Sequence, residues 1–349
     1  MNFKKILCTA LAAVTMIVPI LSGCKHVEKD ELFKVESSAE KSQVSVQTSG
    51  NSHDSEEITP ALWKAENPDG SYLYLFGSIH AADDAVNHLP DYFEKAYAEC
   101  DALSFEIDMS NLMDDMETAV QMMGDMMYTD GTTIKDHLSE DTYEKLVKLL
   151  RDNNVYNSLY DYYKPLVWES LIENIVISQA GLNSEKGVDM VLTNRAKQDG
   201  KQIMEVESMD FQMNLFNGFS DELIEMMLAA YVEDASIEEQ AEELKELYAR
   251  WKSGTMTAED AEEFDESQLT EEEKKLLEEY NSGLLINRNE NMAEKAAEYS
   301  KSGQTVMLVV GAAHYLGDDG IVSLLEKQGM TVTRITSPDQ ITAQSKLAA

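Results

Sequence analysis

Four stretches of the chain are nearly continuous runs of apolar residues, each long enough for a strand. They span Tyr72–Phe76, Ala102–Ile107, Gln202–Val206 and Thr305–Val310. Runs without polar alternation predict strands that are buried on both faces, because a half-exposed strand alternates apolar with polar residues. Helical patterns separate the runs, and this alternation predicts a sheet with helices packed on both of its sides.

Helical periodicity dominates the regions between these runs. The helix expected after Pro90 carries Cys100 on its apolar side, where a buried small hydrophobe is favoured over a nucleophile. A second stripe is methionine-rich: Met109, Met113, Met116, Val120, Met123 and Met127. It predicts a core-facing or lid helix, with a soft-metal or peptide-binding surface as the alternative. Asp234–Tyr280 is rich in glutamate and predicts solvated helices with a hinge at Ser253-Gly254.

The sequence Gly-x-x-His ends two of the apolar runs, at Gly77–His80 and Gly311–His314. An acidic loop, a helix and a further strand are predicted after each copy. This repeat predicts an α/β fold whose mixed sheet is built from two related halves, each with a strand–GxxH–helix unit, with helices on both faces and a largely helical middle insertion. The glycine permits a sharp turn, so each histidine is expected at the carboxyl end of its strand, where ligands bind in open α/β sheets.

Two acidic residues are expected at the same edge of the sheet. Glu106 and Glu207 each stand at the end of an apolar run. A single glutamate there is usually a solvated edge residue, but two acids beside His80 and His314 form a set of ligand types suited to Zn²⁺, Mn²⁺ or Co²⁺. A carboxylate left over from such a site can act as the base that activates a water molecule.

A polar pair interrupts the apolar stripe of the helix predicted from Leu284 to Tyr299. Arg288 and Asn289 lie in the path of that stripe. A desolvated arginine needs a partner, which is either a structural carboxylate or a substrate carboxylate or oxyanion. Among the remaining histidines, His88 lies close enough in sequence to His80 to reach the same rim.

The N-terminus predicts export and lipidation. Lys4 and Lys5 precede an apolar run that ends in Leu-Ser-Gly-Cys, which resembles a bacterial lipobox with Cys24 as the lipidated residue. An ordinary signal peptide with a chance cysteine is the alternative. We therefore expect a signal peptide at 1–23, the lipidated Cys24 with a disordered tether over 24–59, one domain at 60–338 and a C-terminal tail at 339–349. The expected location is extracytoplasmic, anchored by lipid to the bacterial cell membrane.

The charge of the chain narrows the range of partners. The formal net charge is -37, and it becomes -39 when the two lysines of residues 1–23 are removed. This balance argues against nucleic acid as a partner and against close contact with anionic lipid. The need to keep the protein soluble is enough to explain its acidity, so the negative charge does not by itself indicate a specific function.

These motifs together resemble the TraB/GumN family, also called the Tiki family. The matching pieces, in chain order, are Phe76–His80, Leu89-Pro90, Ala102–Asp108, Gly187-Val188-Asp189, Glu207 with Gln212, Arg288-Asn289 with Met292, Val310–His314, and Gly317–Gly320 ahead of Leu324-Leu325 and Gly329. Their order and spacing agree over most of the predicted domain.

The resemblance implies a metal-dependent hydrolase, because members of the Tiki branch are described as Mn²⁺- or Co²⁺-dependent proteases. Carried over by position, it implies that His80, Glu106 and His314 hold the divalent metal (Mn, Co or Zn). It further implies catalytic roles for Glu207 as base, with Arg288 and Asn289 in support. The expected substrate is a peptide or a secreted protein. A non-catalytic lipoprotein that binds peptides and a metal-free, esterase-like hydrolase are the alternatives.

Overall fold

The computed structural model describes residues 58–108, 116–233, 235–262 and 269–341. The strands within these residues are β1 Leu62–Glu66, β2 Tyr72–Ser78, β3 Ala102–Phe105, β4 Gln202–Glu205, β5 Val306–Gly311 and β6 Thr331–Ile335. The α-helices are α1 Asp91–Glu99, α2 Met116–Asp125, α3 Glu140–Asp152, α4 Pro165–Gln179, α5 Val188–Asp199, α6 Met209–Asn217, α7 Asp221–Glu233, α8 Ile237–Ser253, α9 Glu259–Glu262, α10 Glu271–Asn281, α11 Asn287–Ser300 and α12 Ile321–Lys327. The predicted signal peptide, Cys24 and the tether up to residue 57 lie outside the described residues, as does most of the C-terminal tail.

The strands form one mixed sheet in the order β4-β3-β5-β2-β1-β6. Strands β4, β3, β5 and β2 run parallel to one another, whereas β1 is antiparallel to both β2 and β6. Each predicted strand forms, and the α/β class is confirmed. The prediction that all four are buried on both faces is wrong for β4, which lies at the edge of the sheet and is exposed or half-buried along its length. The sequence patterns did not predict β1, whose burial is partial at Trp63 and Lys64.

The two GxxH units cover opposite faces of this sheet. From β2 the chain runs through α1 to β3, towards the β4 edge of the sheet. From β5 it runs through α12 to β6, which is at the opposite edge. Right-handed crossovers that run in opposite directions place their helices on opposite faces. Accordingly, Phe93 of α1 packs against Phe76, whereas Leu325 of α12 packs on the face of Leu75. The topology is that expected of two related halves, with β1 inserted beside β2.

The predicted helical insertion between β3 and β5 forms a second core. Its centre is α4, which is buried on nearly all sides and contains Trp168. The methionine stripe was assigned to the wrong face of α2, because Met122 and Met126 are buried whereas Val120 is 63% exposed. Residues 109–115 of that stripe lie outside the described residues.

Helix α8 has a larger role than the solvated helix predicted for this region. At the predicted hinge the structure has the end of this helix, which Gly254 caps in the left-handed conformation that favours glycine. Its apolar side is buried, however, and the Trp251 indole donates a hydrogen bond of 2.9 Å to the carbonyl oxygen of Gly77. The glutamate-rich helix therefore supports the first GxxH turn from outside the sheet.

Two buried glutamates in the insertion make stability depend on pH. Glu169 and Glu173 lie one turn apart on α4 beside the Tyr231 hydroxyl, and neither forms an ion pair with a described residue. Burial raises the pKa of Glu169 to about 8 and the pKa of Glu173 well above its normal value of 4.5. The folded protein therefore holds protons that the unfolded chain releases, so stability is lost as the pH rises from about 4.5 through about 8.

We expect the variant Glu169→Gln/Glu173→Gln to lose less stability than the wild type between about pH 5 and pH 9. Each of these protons changes the free energy of unfolding by about 1.4 kcal/mol per pH unit between the unfolded and the folded pKa of its carboxyl. Urea unfolding across this range measures the difference, with the exposed Glu278→Gln as a control for removal of one charge. Parallel pH profiles for the wild type and the double variant would show that the two carboxyls do not titrate on unfolding.

Candidate functional site

The candidate site lies where three parallel strands end side by side. Strands β3, β5 and β2 are neighbours in the sheet, and their carboxyl ends meet at one edge. Glu106 follows β3 directly, His80 lies just beyond the end of β2, and His314 lies in a short 3₁₀ turn after β5. All three side chains are buried, at no more than 5% exposure. The structure thus brings together the residues that the sequence assigned to a metal.

Arg288 joins the two acidic residues of the site. Its Nη2 lies 2.6 Å from Glu106 Oε2 and 2.8 Å from Glu207 Oε2, and its Nε lies 2.8 Å from Glu207 Oε1. Gln212 Nε2 donates to Glu207 Oε2 at 2.8 Å. Of the two partners that the sequence left open for Arg288, the structure shows the carboxylate, because both glutamates engage the guanidinium.

An irregular turn precedes Arg288 in the chain and helps to position its side chain. The segment Ser282–Ile286 between α10 and α11 is a π-helical turn, a feature often found at functional sites. Arg288 Nη1 donates to the carbonyl oxygen of Leu284 in this turn, at 3.2 Å. The turn thus fixes the guanidinium from its own backbone while the two glutamates hold it from the sheet.

The Glu106 carboxylate is the group of the site on which most of the neighbouring charges act. Its Oε1 accepts the Gly311 N–H at 2.8 Å and lies 3.8 Å from His314 Nε2. Burial by itself raises the pKa of this carboxyl, but the charges of Arg288, His314 and His80 and the Gly311 N–H hold it well below its usual range. Glu106 is therefore ionised at neutral pH, with Oε2 held by Arg288 and Oε1 directed towards the second GxxH turn.

Each histidine of the two GxxH turns is oriented by a hydrogen bond through Nδ1. His314 Nδ1 lies 2.6 Å from Asn289 Oδ1, and Asn289 in turn donates to the carbonyl oxygen of Asp319 at 3.0 Å. His80 Nδ1 lies 2.6 Å from Asp189 Oδ2. Because an amide oxygen and a carboxylate both accept, each Nδ1 carries a proton, and Nε2 is the atom that offers a lone pair when the ring is neutral.

The two imidazoles differ in charge. Burial opposes protonation of His80, but Asp189 outweighs it through its charge and its hydrogen bond, so the pKa of His80 is raised to about 9. Burial and the Arg288 charge lower the pKa of His314 to about 3, although Glu106 opposes the shift. Two histidines with the same motif and the same edge position are thus held in different protonation states by their neighbours.

The donor atoms of this edge fit a divalent metal by chemical type. His80 Nε2 is buried without a hydrogen-bond partner, and His314 Nε2 faces a carboxylate oxygen. A carboxylate or amide behind Nδ1 is the usual support for a metal-binding histidine. Within the described ranges, no group of three or more His, Cys, Asp or Glu side chains has the spacing to hold a metal ion. The site therefore offers donor atoms of the right chemical types, but in this arrangement they do not form a metal-binding group.

Sequence reasoning gave no role to two residues of this cluster. Asp189 lies in the first turn of α5 and orients His80, and Gln212 lies on α6 and bonds to Glu207. Both stood in the family motifs, and their polar type at otherwise apolar helix positions was the available signal. His88, in contrast, is exposed at the end of a short turn and does not contribute to the buried cluster.

Gly187 explains how α5 reaches His80. A Cβ at this position would lie 2.4 Å from the carbonyl oxygen of His80 and 2.8 Å from its carbonyl carbon. The Val188 N–H also donates to the Ile79 carbonyl oxygen at 2.9 Å. The helix start is therefore packed against the backbone of the first GxxH turn, an approach that only glycine allows.

We expect Gly187→Ala to destabilise the protein by about 1–3 kcal/mol, because the new methyl group must displace the backbone of His80. The matched control is Gly124→Ala on α2, where a Cβ meets nothing within 4 Å, and this change is expected to stabilise by up to about 1 kcal/mol. Urea unfolding of both variants tests the pair. Equal stabilities for the two variants would contradict the close approach at Gly187.

Comparison with known proteins identifies the family to which the chain belongs. The family model for the TraB/PrgY/gumN family matches residues 61–334, which include every residue of the site. The chain belongs to the TraB/PrgY/gumN family. Among its relatives is "Metalloprotease TIKI2" of Danio rerio, which is 22% identical over 333 residues covering 83% of this chain and 63% of that protein. Another relative, "Uncharacterized protein YbaP" of Escherichia coli (strain K12), is 25% identical over 148 residues.

The match to these relatives is partial in length. The second alignment covers 42% of this chain and 52% of the E. coli protein. The chain thus spans less than two thirds of each of these two relatives. No solved structure matches this TraB/PrgY/gumN family member.

Proposed function

We propose that this member of the TraB/PrgY/gumN family is a metal-dependent hydrolase that cleaves peptides or secreted proteins. One observation carries the proposal: two imidazoles from the two GxxH turns, each held through Nδ1, present Nε2 at the sheet edge occupied by the ionised Glu106. The similarity to a protein named a metalloprotease supports the reaction class.

His80, Glu106 and His314 would hold the ion, which we propose to be Mn²⁺, Co²⁺ or Zn²⁺. When bound, such an ion polarises a scissile carbonyl and lowers the pKa of a water molecule. Asp189 and Asn289 each engage Nδ1 of one imidazole, so Nε2 is the atom that each ring would give to the ion, His80 losing its second proton when the ion binds. Among the oxygens of Glu106, Oε1 is the one directed away from Arg288 and towards His314.

The ion pair changes the roles that we propose for Glu207 and Arg288. The sequence suggested Glu207 as a base and Arg288 as an oxyanion clamp, but each is engaged by the other through two contacts. A carboxylate held by a guanidinium is a weak base, and a guanidinium that faces two carboxylates has little positive field left for substrate. We therefore propose that the pair positions Glu106 and keeps it charged.

The proposed setting is the outer surface of a bacterial cell membrane. Cys24 would carry the lipid, and the acidic domain would stand away from the anionic membrane surface. No helix in the described part of the chain has both the length and the apolar character to cross a bilayer. The net charge of -37 supports peptides or proteins, and not nucleic acid, as partners.

A peptide-library cleavage assay on the purified protein tests this proposal. We expect cleavage that is lost in chelator and restored by Mn²⁺, Co²⁺ or Zn²⁺. Loss of the support behind either imidazole, in Asp189→Asn or Asn289→Ala, is expected to lower metal affinity or activity by about 10- to 100-fold. Absence of cleavage with every metal, together with saturable peptide binding, would replace the hydrolase with a peptide-binding lipoprotein.

A metal-free hydrolase is the second candidate, and the His80–Asp189 pair favours it. A carboxylate that holds Nδ1 of an imidazole is the arrangement by which general-base histidines are oriented in hydrolases. Such an enzyme would keep its full activity in chelator and would lose it in His80→Ala. The chelator arm of the same assay therefore separates the two candidates.

A further inference from the structure

Two nitrogen atoms bridge the same pair of carboxylate oxygens in the candidate site. Arg288 Nη2 lies 2.6 Å from Glu106 Oε2 and 2.8 Å from Glu207 Oε2. Gln212 Nε2 lies 3.3 Å from the first of these oxygens and 2.8 Å from the second. Both neighbours of the amide accept hydrogen bonds, so the amide presents its nitrogen, whose two hydrogens can serve one carboxylate each.

The fold does not need this amide to satisfy the two carboxylates. Arg288 contacts both oxygens of Glu207 and Oε2 of Glu106, and the Gly311 N–H serves Oε1 of Glu106. Each of the four oxygens therefore keeps a donor without Gln212. Burying an amide costs desolvation that an apolar residue of the same size would avoid. The presence of glutamine here therefore points to a role beyond stability.

Gln212 reaches the sheet edge from the helical insertion. It lies on α6, which begins just after Glu207 and is capped by the Ser208 hydroxyl, an acceptor for the Phe211 N–H at 3.1 Å. The Gln212 side chain is only 5% exposed, and its neighbour Met213 packs in the core of the insertion. The insertion thus contributes one polar group to a site whose other groups come from the sheet edge and from α5 and α11.

The amide acts on the orientation of the Glu106 carboxylate. Oε2 of Glu106 is held by Arg288 from α11 and by Gln212 from α6. Oε1 accepts the Gly311 N–H at 2.8 Å and lies 3.8 Å from His314 Nε2. Because rotation of a carboxylate about its last single bond moves both oxygens together, a second donor on Oε2 also restricts where Oε1 can lie.

We propose that Gln212 is a positioning residue: its amide, acting through Oε2, holds the Glu106 carboxylate in the orientation in which Oε1 faces His314. A neutral donor suits this role, because it fixes the direction of the carboxylate without placing a second positive charge beside it. Arg288 supplies the charge and Gln212 supplies the direction. The effect on peptide cleavage rests on the proposed hydrolase function, whereas the hold on Glu106 does not.

A double-mutant cycle in the full chain tests the hold on Glu106 without any assay of activity. It combines Gln212→Met, which keeps the length of the side chain and removes both donors, with Glu106→Gln, which removes the charged acceptor and leaves Arg288 paired with Glu207. Urea unfolding of the four proteins measures the coupling. We expect the two changes to be non-additive by at least about threefold in the unfolding equilibrium constant. Additive effects would overturn the proposal.

The kinetic test needs only the single variant and separates positioning from stability. Gln212→Met is expected to lower kcat for peptide cleavage by about 10- to 100-fold with KM within about twofold, the pattern of a group that acts on the reaction and not on binding. Its urea midpoint is expected to stay close to that of the wild type, since each carboxylate oxygen keeps a donor. Asn214→Met changes an exposed amide on the same helix and is the matched control, with kcat unchanged.

A wild-type kcat in folded Gln212→Met would overturn the positioning role, and an equal loss in Asn214→Met would overturn its assignment to this amide. A large fall in the urea midpoint with unchanged kcat would show that the amide is only structural. Absence of cleavage by the wild type would overturn the hydrolase, and the double-mutant cycle would then decide the hold on Glu106 by itself. The two proposals thus fail by different measurements.

Discussion

Arg288→Met is expected to destabilise the protein by about 3–5 kcal/mol, because it leaves Glu106 and Glu207 buried without their counter-charge. The Arg288 guanidinium is the buried cation that both carboxylates contact directly. Methionine matches the length of the arginine side chain closely enough that lost packing contributes little. Urea unfolding at neutral pH measures the change.

Arg195→Met provides the matched control for this prediction. Arg195 also forms a two-contact ion pair, with Glu94, but at a half-exposed position where its side chain is 33% accessible. Its loss is expected to cost no more than about 1 kcal/mol, since water screens the remaining charge. Similar losses in the two variants would show that burial of the Arg288 cluster does not determine its energetic role.

His80→Ala and His314→Ala are each expected to lower kcat/KM by at least about a hundredfold in the peptide assay. Each change removes one of the two Nε2 atoms at the sheet edge and leaves Glu106 and Arg288 in place. His88→Ala is the matched control, because His88 is exposed and lies outside the cluster. It should retain wild-type activity.

The activity of the folded double variant His80→Ala/His314→Ala decides the role of this pair. A double variant that unfolds at the wild-type urea concentration yet still cleaves peptide would remove the histidines from the chemistry. A loss shared by His88→Ala would instead indicate a general effect of removing imidazoles. The expected pattern is loss in both GxxH variants and none in the control.

The sequence predicted the edge residues because strand ends have a strong local signal. A continuous apolar run followed by Gly-x-x-His places each histidine by its distance along the chain, so His80 and His314 did not require tertiary information. Glu106 was placed in the same way. The edge that they share follows from the parallel direction of their strands.

Other features depended on contacts that no local pattern contains. The partners of Arg288 come from two different strands, so the sequence left open whether it faces a substrate or a carboxylate. Asp189 reaches His80 only because Gly187 lets α5 pack on the first turn. The methionine stripe failed for a different reason: several methionines at mixed spacings gave more than one helical face of similar hydrophobicity.

Metal stoichiometry tests most directly our proposal that the two GxxH histidines and Glu106 form one metal site. The purified full chain is incubated with Mn²⁺, Co²⁺ or Zn²⁺, freed of excess ion and analysed for bound metal beside the folded His80→Ala/His314→Ala variant. We predict about one ion per chain in the wild type with at least one of these metals, and none in the variant. Equal metal content in the two proteins, or no bound metal in the wild type, would contradict the claim.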